Sequence, residues 1–110
     1  MKDHHSGDIV YNWFCLFLER DENLLQQLNN FGQGITVDAN EWLFTVPALY
    51  DFACNSSPQF KQMDYPKFRN MLFQYPFNQK LKGTGAEISI SQNYNKLDLS
   101  IYRLGPVSIP

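Results

Sequence analysis

The chain has 110 residues, the length of one domain with a core of its own. With 44% hydrophobic and only 18% charged residues it is not the composition of a disordered chain, and no apolar run reaches the roughly 20 residues that span a bilayer. The formal net charge of −2 and a pI near 5.5 exclude a domain that is basic overall, as typical DNA-binding domains are.

Met1 to Asp8 carry three charges and two histidines and lack a basic stretch followed by an apolar one, so no ordinary secretory signal is expected. Residues 1–7 are expected to fray. Ile9, Val10, Trp13, Phe14, Phe17 and Leu18 recur at helical spacing, and Ser6 or Asp8 can cap a helix that starts at Ile9. Glu19 to Glu22 interrupt the stripe; Leu24, Leu25, Leu28 and Phe31 resume it, and Gly32 supplies a stop. Residues 8–31 therefore read as one bent helix or as two, the second capped by Asp21. Ile35–Val37 is a short β-branched run that suits a strand.

Asp38 and Glu41 have the spacing of a capping box, which predicts a helix through Trp42, Leu43, Val46, Leu49, Tyr50 and Phe52. Pro47 predicts a kink or a restart, with Thr45 as the new cap. Residues 55–63 read as a loop. Asp64 and Pro66 open another helix, whose inward face is Phe68, Met71, Leu72 and Tyr75. Pro76 interrupts it, one or two turns follow to Lys82, and Gly83–Gly85 turns the chain.

From there the period changes from 3.6 to 2. An antiparallel hairpin is predicted over 86–91 and 97–103, closed by a turn at 93–96. Ile88 is matched with Ile101 and Ile90 with Leu99, which places these four, with Leu97, on one buried face. Gly105-Pro106 ends the second strand, and 105–110 is expected to fray.

Aromatics reach 15%, so the core should be rich in rings. Ten Asn and eight Gln stand where charge would normally cover the surface. Cys15 and Cys54 lie far apart and outside any paired spacing, which argues against zinc and suits a reducing cytoplasm. Cys15 sits in Trp13–Phe17 and is expected to be a buried, quiet thiol. His4 and His5 are the only histidines and lie at the terminus, so neither a metal site nor a Cys-His or Ser-His pair is expected. The carboxylates at 21–22 and 38/41 are accounted for by helix starts. Gly83-Thr84-Gly85 precedes a strand and lacks the phosphate-loop frame.

Charge is unevenly distributed. Residues 1–64 hold three basic and nine acidic side chains, residues 65–110 six basic and two acidic, and no acid stands between Tyr65 and Ala86. Either the halves attract each other or the basic stretch meets an anionic partner.

The predicted class is α+β: three to four N-terminal helices, a short strand near 35–37 and a C-terminal antiparallel hairpin in a single domain. Helix, short strand, helix, helix, hairpin is also the element order of a winged-helix domain, with 66–75 as the reading helix and 93–96 as the wing tip. The functional expectation is a small, cytoplasmic, non-enzymatic protein that binds another macromolecule, foremost a protein, with no cofactor, metal or membrane. The alternative is nucleic-acid binding through 65–103, with Lys67, Arg69, Lys80, Lys82 and Lys96 on phosphates and an interleaved aromatic on a base.

Overall fold

The computed structural model describes residues 4–32, 34–38, 40–96 and 98–107. Leu97, residues 1–3 and 108–110, and the side chains of His4 and His5 lie outside that description. The class is α+β: the described residues form five α-helices and a four-stranded antiparallel sheet, with strand order β1-β2-β4-β3.

Helix α1 (His4–Leu18) starts more than a turn before the expected Ile9. The segment expected to fray is ordered from His4 because Ser6 is buried and Gly7 lies against the Tyr75 ring, where any Cβ would collide. The two-helix reading holds: α2 (Glu22–Phe31) begins at Asp21, whose carboxylate accepts from Leu24 N–H at 2.9 Å, and ends at Gly32 with φ +74°.

Strand β1 (Ile35–Val37) matches the expected strand, but its neighbour is not the predicted helix. Trp42–Phe44 forms β2, antiparallel to β1. Asp38 does bind the N–H groups of Asn40 and Glu41, at 2.8 and 2.9 Å, yet the turn it makes closes a hairpin. The helix waits until α3 (Val46–Ser56), capped by Thr45 with Pro47 in its first turn.

A single 3-10 turn (Pro58–Gln62) follows, then α4 (Tyr65–Gln74), capped by Asp64. Pro76 separates α4 from the five-residue α5 (Phe77–Leu81). Strands β3 (Ala86–Gln92) and β4 (Ile101–Pro106) complete the sheet.

The predicted hairpin exists, but in another register. Ile88 pairs with Leu104 and Ile90 with Tyr102, and a bulge follows before Gln92 meets Ile101. The shift from Ile101 to Leu104 is an odd number of residues, which reverses the inward face of the second strand. Tyr102 and Leu104 are buried, whereas Leu99 is 57% exposed and Ile90 53%. Gly105 and Pro106, expected in a frayed tail, pair with Glu87 and Ala86.

Two rows of side chains therefore cross the inner face. One is Val37, Trp42, Leu104 and Ile88; the other is Ile35, Phe44, Tyr102 and Ile90. The helices cover this face, and the rings of α1 meet it directly. Trp42 lies within 5.2 Å of Phe14, 5.8 Å of Phe17, 5.9 Å of Phe44 and 6.4 Å of Phe52, ring centre to ring centre. The opposite face is open and carries the Arg103–Glu41 ion pair at 2.5 Å. Cys15 is half-buried, less covered than its apolar run suggests, and both cysteines are free thiols.

Candidate functional site

The second row is not covered along its whole length. Helix α4 stops at Gln74, immediately before Tyr75-Pro76, and the short α5 turns toward the rim of β3. An apolar cleft of about 490 Å³ opens between them. Its floor is Phe14, Phe44 and Tyr102; one wall is Leu72, Phe73 and Phe77, and the other is Ile88 to Ile90 of β3. Phe73 stays 50% exposed on the lip although its ring lies 6.0 Å from that of Tyr102. Among the described residues no charged side chain lines this space.

Asn78 holds the cleft's far end. Its amide takes both backbone groups of Ile88: Ile88 N–H donates to Oδ1 at 2.7 Å, and Nδ2 donates to the Ile88 carbonyl at 2.9 Å. Tyr102, only 7% exposed, has a hydroxyl without a hydrogen-bond partner among the described residues. Burial, with the Asp98 charge nearby, pushes that hydroxyl's pKa up and keeps it neutral.

The loop from Asn93 to Ser100 is anchored from two sides. Ser100, buried, accepts from Tyr94 N–H at 3.1 Å and donates to the Lys96 carbonyl at 2.9 Å. Asp98 accepts from the Tyr65 hydroxyl and from Arg69 Nη1, the latter at 3.4 Å. The Tyr65 bond holds the Asp98 carboxyl below the usual carboxylate range, with Arg69 adding to it.

The five basic residues singled out from sequence fall into two groups. Arg69 is tied to Asp98 and lies over the Tyr65 ring. Lys80 sits 3.9 Å from Asp8 and over the rings of Tyr11 and Tyr75, the latter a hydrogen-bond donor to Asp8. Lys80 and Arg103 thus carry the attraction between the acidic and basic halves. Lys67, Lys82 and Lys96 are exposed and have no ion pair among the described residues.

Sequence reasoning did not single out Asn78 or Tyr102, and it placed Ile90 on the buried face of the hairpin, where the structure leaves it 53% exposed. Phe73 gave a signal: with Tyr65 and Phe77 it is a ring of 65–77 left off the inward stripe of Phe68, Met71, Leu72 and Tyr75. Among the described residues no three His, Cys, Asp or Glu side chains gather as metal ligands, and no helix is long and apolar enough to cross a membrane. Comparison with family models, curated proteins and solved structures finds no match for the chain.

Proposed function

We propose that the protein is a non-enzymatic, cytoplasmic binding module that takes part of another protein in the cleft between α4, α5 and β3. The observation that carries this reading is the uncovered end of the second row, where Phe73 and Ile90 stand half-exposed around a 490 Å³ apolar space. Isolated exposed apolar residues are ordinary, but a ring and an aliphatic side chain on the lips of one apolar cleft form an anchor pocket. A photo-crosslinking residue at position 73 or 90, and at the exposed Thr36 as control, tests it in native lysate treated with nuclease. One protein captured from 73 and 90 but not from 36 is the expected result; equal capture from all three overturns it.

Lys67, Lys82 and Lys96 support a second reading, a weak nucleic-acid contact, because all three are exposed and free of acidic partners among the described residues. Arg69 and Lys80, already paired, weaken it. Its test is fluorescence anisotropy with labelled oligonucleotides at about 50 and 200 mM salt, where affinity should fall steeply if phosphates are bound. Absence of binding at the lower salt removes it.

A further inference from the structure

Resting on the cleft reading, we infer that β3 accepts a short extended segment of another protein as an added strand at Ile90, and that this segment is apolar with acidic residues at the end passing Gln92. In an antiparallel ladder the backbone groups of successive residues face the neighbour and the open side alternately. Glu87 and Ser89, opposite Gly105 and Arg103, face β4, and the Val107 N–H to Gly85 carbonyl bond of 2.9 Å continues that odd-numbered series. Ala86, Ile88 and Ile90 therefore face outward.

Two of these three are already satisfied by side chains. Ala86 N–H meets Thr84 Oγ1 at 3.1 Å, and Ile88 is bonded twice by Asn78. The Asn78 amide stands where the peptide group of an adjacent strand would stand. Ile90 has no such partner among the described residues, so the edge is closed at two positions and open at the third. An open edge beside a pocket is the arrangement used in strand addition: main-chain bonds give affinity, and alternate side chains enter the pocket. Here those side chains would meet Phe73, Ile90 and the ring of Tyr102.

Length and charge select the occupant. Helix α5 lies along β3 at Ile88, so the open stretch holds only a short segment. A second copy of this chain fits poorly. Its β3 is seven residues long with α5 beside it, and antiparallel pairing at Ile90 would set Lys96 of one copy beside the Lys82 turn of the other. Like charges so placed oppose association. Of the cations on α4 and α5, the helices that wall the cleft, Arg69 and Lys80 are paired, and Lys67 has no acidic partner among the described residues. Lys96, in the loop just past Gln92, is exposed without an acidic partner among the described residues, while Asp98 of the same loop is held by Tyr65 and Arg69. An acid-ended apolar segment complements that field; a basic one does not.

The experiment uses the full chain, labelled with nitrogen-15, and three acetylated peptides. These are Val-Ile-Val-Thr-Asp-Asp-amide, its Lys-Lys-ended analogue, and the acidic peptide N-methylated on its apolar residues. The acidic peptide should bind, slow hydrogen exchange at the Ile90 amide, and bind more tightly than the basic one. Lys96→Glu should reverse that order. Measured against Ile90→Ala, which also loses the side chain on the lip, Ile90→Pro removes only an outward N–H, at a position where an edge strand tolerates proline. It should weaken binding about tenfold, as loss of a backbone bond predicts, and N-methylation should do the same. Binding that shifts Phe73 and Tyr102 but leaves Ile90 unprotected and is indifferent to N-methylation overturns strand addition and leaves the cleft reading standing. Failure of every peptide, with crosslinking from position 73 intact, does the same. Failure of both removes both.

Discussion

The two rows that cross the inner face of the sheet are built from the same kinds of side chain and end differently. The row through Trp42 is sealed at its centre: four phenylalanine rings surround the indole, and the residue is fully buried. The row through Tyr102 starts as well packed at Ile35 and Phe44 and runs out into solvent at Ile90. Tyr102 has two rings beside it, Phe44 and Phe73, and helix coverage accounts for the open end. Pro76 separates α4 from α5, and Asn78 fixes α5 to the β3 edge at Ile88, two residues short of Ile90.

The sharpest way to break that contrast is to truncate one ring in each row. Trp42→Ala should destabilise the protein by about 3–5 kcal/mol, the range for large buried aromatics, measured by chemical denaturation. Phe73→Ala should cost less than about 1 kcal/mol yet abolish crosslinking at the cleft, because its ring is half in water. Equal losses would mean that the cleft is closed in solution.

A smaller effect is expected where α4, one wall of the cleft, begins. Asp64 accepts from Lys67 N–H at 3.0 Å, and Asp64→Ala should cost about 1 kcal/mol as loss of a cap, read from the thermal midpoint. The loop beside the open row adds a pH dependence. Asp98 is held below its ordinary value, so its contribution is present at neutral pH and lost as pH falls through the lowered folded value. Tyr65 is pushed up, by burial first and then by its bond to Asp98, so its contribution is complete below about pH 10 and declines above it. Protection factors of the 93–100 amides, exchange rates corrected for the intrinsic pH dependence, should therefore be highest between these limits, and Asp98→Asn should flatten the acid side.

The smallest effect is the most diagnostic. Ile90→Asp should change stability by no more than about 0.5 kcal/mol, as an exposed substitution does. Under the register first expected from sequence, with Ile90 buried, the same change would cost several kcal/mol. A large loss would place Ile90 back in the core and close the cleft.

The sequence determined whatever is settled within a few residues. Asp21, Thr45 and Asp64 each cap the helix they were expected to cap, Gly32 ends α2, and Pro76 ends α4, because a cap or a missing N–H acts on its own turn of chain. Composition and period were enough for the α+β class and a C-terminal strand pair. Tertiary structure decided the rest. Asp38 binds two following N–H groups in a helix start and in a hairpin turn alike, so its local chemistry could not choose; pairing of Trp42–Phe44 with Leu104–Tyr102 did. The second hairpin strand offers apolar residues on both parities, Leu99 and Ile101 on one and Tyr102 and Leu104 on the other. The rings of β2 need partners opposite them, and Tyr102 and Leu104 supply these. The opposite parity then turns outward, Ile90 is left at the end of a row that no helix reaches, and the cleft exists only because these distant segments meet.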